Sequence, residues 1–211
     1  MGPFTEVVFR TRLISAALFM TILVCSLPAD LVHRYSFSGN CNDSIGSSHG
    51  ILINGTGLSS YANGQLTLGN NGSQNSTGSS IDYVDLPNGT ISSLGTQATF
   101  EGWVTWTGSS SWQRIFDFGT SSAGEGYSAG SSYTSYLFAT TLGGAGVYRF
   151  GYRYGPNADE RVMDGPVFPS GQHPVAVTWN EDNAETVMYL AGVRLASGSV
   201  SFTLASMTDN S

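Results

Sequence analysis

The segment that most constrains the fold is Ala98–Trp106 (ATFEGWVTW), because two kinds of residue alternate along it. Its even-numbered positions are small or apolar, whereas its odd-numbered positions include Glu101 and Trp103. A period of two places successive side chains on opposite faces of a β-strand. The segment therefore predicts a strand with two chemically different faces.

Apolar segments of similar length, separated by turns rich in Gly and Ser, continue along the chain. Gly accounts for 27 residues, and no helix of ordinary length is predicted; Ile91–Leu94 is predicted to form one helical turn. The other predicted strands are Leu31–Phe37, Ile51–Asn54, Gly64–Leu68, Ile81–Leu86, Trp112–Gly119, Ser135–Thr141, Val147–Tyr154, His173–Asn180, Val187–Leu190 and Val193–Ala196. This spacing predicts an all-β sandwich.

The N-terminus carries the pattern of an export signal. Arg10 and Arg12 precede an apolar run, Leu13–Leu27, which is followed by Pro28 and Ala29. A charged region, a short apolar region and a small residue are typical of a secretory signal peptide. We expect residues 1–29 to be the signal peptide and the mature domain to begin at residue 30; a short membrane anchor is the alternative.

Charge and cysteine content exclude several classes of function. All eight basic residues are Arg, and the formal net charge is −7, so we expect no nucleic-acid partner. Cys41 is the one cysteine outside the signal peptide, so no internal disulfide is expected. After signal cleavage we expect a secreted or cell-surface protein without a stable membrane span.

The order of several short motifs resembles one family. The motifs are RYSF, DSIGSSHG, YVDLP, ATFEGWVTW, RIFDFG, VAVTWN and YLAGVRLASG, and they cover roughly residues 31–204. They resemble laminin-G-like domains of the concanavalin A-like lectin/glucanase superfamily. The resemblance implies a two-sheet antiparallel jelly roll with a convex and a concave face, which exported proteins use to bind carbohydrate or protein.

The sequence departs from this family in two places. Ala191-Gly192 stands where the family usually has Asp-Gly, and Ala is unfavourable where a hairpin turn requires positive φ. Family domains also continue with further strands, whereas this chain ends at Asp209-Asn210-Ser211. We therefore expect the domain to lack its last strands and one sheet to have an unpaired edge.

The candidate binding residues are those expected on the concave face. Trp103 could stack on a sugar ring while Glu101 accepts hydrogen bonds from hydroxyl groups. Arg149 and Arg153, on one side of Val147–Tyr154, complete the candidate site. The alternative is that Glu101 pairs with one of these arginines across the sheet and has only a structural role.

Trp112 is a further candidate, either as a binding residue at a loop tip or as a cap on the core.

Catalysis is not expected, because glycoside hydrolysis requires two closely spaced carboxylates and Glu101 is isolated on its strand. A carboxylate pair assembled from different strands is the alternative.

Calcium is a possible ligand, although no loop spaces its acids like a known calcium motif. The acids in or beside predicted loops are Asp43, Asp82, Asp85, Asp159 and Asp164. The sequence thus predicts a non-catalytic module that binds glycan or an extracellular protein. A structural or adhesive module of a larger surface protein, and a polysaccharide-degrading enzyme, are the alternatives.

Overall fold

The structure, a computed structural model, describes residues 30–69, 82–108, 111–121 and 133–207. Within these ranges the chain is almost entirely β-structure, which confirms the predicted fold class. The strands are β1 (Ile51–Asn54), β2 (Ser60–Ala62), β3 (Gln65–Thr67), β4 (Asp82–Asp85), β5 (Gln97–Trp106), β6 (Arg114–Ser121), β7 (Tyr133–Thr140), β8 (Arg149–Tyr154), β9 (Arg161–Asp164), β10 (Gly171–Asn180), β11 (Glu185–Leu190) and β12 (Val193–Ser199). A 3₁₀ turn, Leu204–Ser206, comes after β12.

Two four-stranded antiparallel sheets form the body of the domain. Sheet A has the strand order β12-β11-β10-β5, and sheet B has the order β6-β7-β8-β9. Two small antiparallel ribbons, β1-β4 and β2-β3, come from the N-terminal part of the chain. β5 and β6 are both terminal strands in these orders, and their rings meet: Phe100 and Phe116 have centroids 5.5 Å apart.

The core lies between the two sheets and follows from the period-2 pattern of their strands. Alternate residues of β10, Val175, Val177 and Trp179, are buried. The Trp179 ring meets Tyr152 of β8 edge to face at 5.3 Å, a geometry that aromatic pairs favour. The aromatic side of the Val147–Tyr154 segment therefore faces sheet A.

The predicted helical turn at Ile91–Leu94 agrees with the hydrogen bonds from the Ser93 N–H to the Gly89 carbonyl at 3.0 Å and from the Leu94 N–H to the Ile91 carbonyl at 3.1 Å. Two other local predictions were wrong. The segment Leu31–Phe37 forms only an isolated bridge, Tyr35 to Asp43. No strand is predicted between Tyr154 and His173, yet this stretch contains β9, whose short and charged sequence has no strand signal of its own. Its pairing with β8 supplies the backbone partners that hold it extended.

A buried carboxylate organises the segment that replaces the first predicted strand. The side chain of Asp43 is inaccessible to solvent, and its oxygens accept hydrogen bonds from the Arg34, Ile45 and Gly46 N–H groups, each at 3.0 Å. His33 Nδ1 lies 2.6 Å from the same carboxylate. These contacts bend the chain around Asp43 and prevent a continuous extended strand.

Asp82 has a similar role in the N-terminal ribbons. It accepts hydrogen bonds from the Thr56 N–H at 2.8 Å and from the Thr56 and Ser59 hydroxyl groups, each at 2.6 Å. Burial opposes ionisation of Asp82, but these hydrogen bonds outweigh it and lower its pKa.

Candidate ligand-binding faces

The predicted site residues lie on two different sheets. Glu101 and Trp103 are on β5 of sheet A, whereas Arg149 and Arg153 are on β8 of sheet B. All four belong to the alternate positions that face away from the core. The prediction that they form one face was therefore wrong, because a period of two assigns a side chain to one face of its own strand but does not assign the strand to a sheet.

The outer face of sheet A carries an isolated tryptophan. Trp103 is 71% exposed, and its neighbour across the ladder is Pro174. Glu101 lies opposite Ala176 and, within the described ranges, forms no ion pair. The alternative that Glu101 pairs with Arg149 or Arg153 was also wrong, since those arginines belong to the other sheet. No side chain described on this face orients either residue toward a ligand.

The outer face of sheet B is held together by charge pairs. Arg149 binds Asp164 of the adjacent strand through two hydrogen bonds, from Nε at 2.6 Å and from Nη2 at 2.9 Å. These bonds lower the pKa of Asp164 despite its partial desolvation. Two parallel hydrogen bonds fix the plane of a guanidinium group, so Arg149 presents a rigid polar surface.

Trp112 lies beside this pair and forms a compact cluster with three side chains. Its ring meets Phe138 of β7 at 6.4 Å between centroids, and the Arg114 Cζ lies 3.9 Å above the Phe138 ring. The Cζ atoms of Arg114 and Arg149 lie 5.4 and 5.8 Å from the Trp112 ring centre, within the range of cation–π attraction. We call Trp112, Arg114, Phe138 and Arg149 the Trp112 platform.

Glycine residues make room for this platform. A Cβ atom on Gly151 would lie 2.6 Å from two ring carbons of Phe138, so the ring lies flat across the strand at that point. Phe138 is therefore only 2% exposed although it faces outward. A Cβ atom on Gly144 would similarly approach the Trp112 ring at 3.2 Å.

The backbone of Trp112 adopts a conformation that is unusual for its residue type. Its φ is 68°, in the left-handed region where bulky side chains are rare. The Trp112 N–H donates to the Leu142 carbonyl at 2.8 Å, which holds this conformation. Such backbone strain persists only where surrounding contacts maintain it, and it clusters at ligand sites. Trp112 was a predicted site residue, but its partners Arg114 and Phe138 were not. The signal available in the sequence was Gly151 within β8, because a glycine inside a strand often marks a place where another group packs closely on the backbone.

Carboxylates on the same face have unequal environments. The pKa of Asp117 is raised, chiefly by desolvation and also by the nearby charge of Glu160, against the opposing effect of its ion pair with Arg114. The Tyr136 hydroxyl donates to Glu160 at 2.6 Å, and the pKa of Tyr136 is raised by burial and by this carboxylate.

Three of the acids considered as calcium ligands have partners within the chain. In the described part of the chain, no three His, Cys, Asp or Glu residues lie close enough together to hold a metal ion. Asp43 and Asp82 already accept several protein hydrogen bonds, and Asp164 pairs with Arg149. Each of these three carboxylates therefore already accepts hydrogen bonds from other residues of the chain.

The comparisons with known proteins concern the family alone. A laminin G model, described as concanavalin A-like lectin/glucanases superfamily, matches residues 77–211. No curated protein and no solved structure matches the chain. Among the residues described, no helix is long and apolar enough to cross a membrane. The matched region includes both sheets and the Trp112 platform, and the chain belongs to the laminin-G-like part of the concanavalin A-like lectin/glucanases superfamily.

Proposed function

We propose that this protein is a secreted or cell-surface, non-catalytic module that binds carbohydrate on the outer face of sheet B. The Trp112 platform is the observation that carries the proposal. Domains of this type are usually extracellular and typically non-catalytic, which supports the same function.

The platform combines the two kinds of contact that sugar recognition requires. Trp112 is 40% exposed, so part of its ring is available to the C–H face of a pyranose. Arg149 and Asp164 next to it supply oriented donors and acceptors for hydroxyl groups. Because these side chains already hold one another in position, binding loses little conformational entropy.

Trp103 is the matched control for this site. It is more exposed than Trp112 but stands on the outer face of sheet A without the cation and ring contacts of the platform. Because both residues are exposed tryptophans on the outer faces of different sheets, the effects of Trp103→Ala and Trp112→Ala on binding can be compared directly.

The test is binding to a panel of glycans and polysaccharides, measured with calcium and then with chelator. Wild type, Trp112→Ala and Trp103→Ala would be compared after circular dichroism confirms folding. We expect Trp112→Ala to weaken binding at least tenfold, about 1.4 kcal/mol, and Trp103→Ala to leave it nearly unchanged. If Trp103→Ala weakens binding and Trp112→Ala does not, the binding site lies on sheet A. Loss of binding in chelator would show that binding requires calcium.

A well-folded protein that binds no glycan on the panel would contradict the proposal. Saturable binding to an extracellular protein or a cell surface, without binding to free glycan, would then favour the structural or adhesive alternative.

One observation favours a second function, glycoside hydrolysis. Asp117 and Glu160 are carboxylates on the outer face of sheet B; desolvation and the charge of Glu160 raise the pKa of Asp117, whereas its ion pair with Arg114 opposes this shift. These are carboxylates from different parts of the chain rather than the isolated Glu101. Release of reducing sugar from a polysaccharide panel, abolished in both Asp117→Asn and Glu160→Gln, would establish this activity; no release by the wild type would exclude it.

A further inference from the structure

Three described arginines, Arg34, Arg153 and Arg161, form no ion pair with a described carboxylate, and two of them lie near each other. The paired arginines are Arg114, Arg149 and Arg194. Arg153 instead donates to the backbone carbonyl groups of Gly155 and Pro156, and Arg161 donates to the Ser199 hydroxyl. Arg153 also interacts with the Tyr136 hydroxyl, which itself donates to Glu160, and Arg161 interacts with the Tyr152 hydroxyl. Neither guanidinium group forms an ion pair with a described carboxylate, so each keeps a positive charge that an anionic ligand can pair with.

Both arginines line the same cavity. It has a volume of about 330 Å³ and lies between the β8–β9 turn and the segment that comes after β12. Its wall includes Tyr154, which is 44% exposed and stacks on Phe202 with ring centroids 5.0 Å apart and planes 14° apart. The cavity thus presents an exposed aromatic ring next to two cationic groups.

The charge of the cavity favours a single anionic group. Asp159 also lines it, which leaves a net charge of about one positive unit from two arginines and one carboxylate. The whole chain has a formal charge of −7, which disfavours the approach of a densely charged polyanion. An arginine fork matches the two oxygens of a carboxylate, and an aromatic ring matches the face of a sugar.

Arg153 connects the cavity to the outer face of β8. Arg149 of the platform and Arg153 of the cavity occupy alternate positions on the same face of β8, four residues apart. At the rise of a β-strand this separation is about 13 Å. Tyr152 and Tyr154 of the cavity lie on the opposite, core-facing side of β8, so of the β8 residues that line the cavity only Arg153 shares the outer face with Arg149.

We propose that this cavity binds the carboxylate of an acidic sugar residue, such as a uronic acid, while the sugar ring packs on Tyr154. The ligands of the module are then acidic oligosaccharides rather than neutral ones. This inference rests on the proposed carbohydrate-binding function and adds the class of ligand to it.

The experiment compares acidic oligosaccharides with their carboxyl-reduced counterparts. The probes are galacturonate, glucuronate and mannuronate oligosaccharides, each in acid and reduced form, titrated by calorimetry into the full chain. The variants are Arg161→Gln, which removes a cavity charge, and Arg194→Gln, which removes the same charge from an arginine of sheet A. Asp159→Asn makes the cavity more positive, and Trp112→Ala removes the platform ring.

We expect wild type to bind at least one acidic probe tenfold or more tightly than its reduced form. Arg161→Gln should lose this preference, Arg194→Gln should keep it, and Asp159→Asn should increase it. The preference should also decrease as salt is added, because the attraction is screened.

Two results would overturn the inference in distinguishable ways. Equal binding of acidic and reduced probes overturns the acidic ligand class, and a preference that survives Arg161→Gln overturns the assignment of that preference to this cavity. In either case, if Trp112→Ala still abolishes binding, the carbohydrate-binding function stands. A folded protein that binds neither form of any probe counts against both.

Discussion

Asp43 is the buried charge around which the N-terminal segment folds, and replacing it with asparagine tests that role. Its carboxylate accepts three backbone N–H groups at 3.0 Å and lies 2.6 Å from His33 Nδ1. Asparagine keeps the shape of the side chain but turns one acceptor oxygen into a donor, which then faces other donors. Hydrogen bonds to a charged group are worth about 1.5–3 kcal/mol each, so we expect Asp43→Asn to lower the free energy of unfolding by about 2–4 kcal/mol at neutral pH.

The effect should depend on pH with a defined sign. Burial opposes ionisation of Asp43, but the hydrogen bonds from the Arg34 N–H, His33 and the Gly46 and Ile45 N–H groups outweigh it, and its pKa in the folded protein is depressed. Such a carboxylate contributes stability above its unfolded pKa of about 3.9 and loses it as the pH falls toward the folded pKa. The difference between wild type and Asp43→Asn should be complete above about pH 5 and shrink below about pH 4.

Urea unfolding, monitored by tryptophan fluorescence at several pH values, measures this difference. Asp159→Asn is the control, because Asp159 is exposed and, within the described ranges, forms no ion pair. We expect the control to change stability by less than about 0.5 kcal/mol. A difference for Asp43→Asn that is below about 1 kcal/mol, or the same from pH 7 to pH 3, would refute the reasoning.

Two further substitutions test the backbone of the sheets. Ala191→Gly should stabilise the protein by about 0.5–1 kcal/mol, because Ala191 has φ 51° at the β11–β12 turn, where glycine has no Cβ penalty; a lower urea midpoint would contradict this. Gly151→Ala should destabilise by about 1–3 kcal/mol, because its Cβ would lie 2.6 Å from the Phe138 ring. The same variant should weaken glycan binding by displacing the Trp112 platform, and unchanged stability with unchanged binding would show that the ring moves freely.

The strands of the two sheets were largely predictable from the sequence. β5, β10 and the hairpin β11–β12 follow alternations that local sequence alone shows, and the hairpin turns at the predicted Ala191-Gly192. The positive φ of both turn residues shows that the tight turn forms despite the unfavourable alanine. β9 was not predictable, because its stability comes from pairing with β8 rather than from its own residues.

Candidate site residues were predictable one at a time but not as a group. Alternation correctly placed Trp103 and Arg149 on outward faces, since side-chain direction is a local property of a strand. Which strands share a sheet depends on hydrogen bonds between distant segments, and no local pattern specifies them. The expectation that the domain lacks its last strands stays a prediction.

Residue order thus determines which side chains leave each strand in the same direction, and this local geometry accounts for the all-β fold and its alternating faces. The pairing of the strands brings Trp112, Arg114, Phe138 and Arg149 together, although they lie in three separate segments of the chain. The same pairing places Trp103 on the opposite sheet. Bonds between neighbouring residues determine on which face of its strand a side chain lies. Contacts between residues far apart in sequence determine which of these side chains come together on one surface.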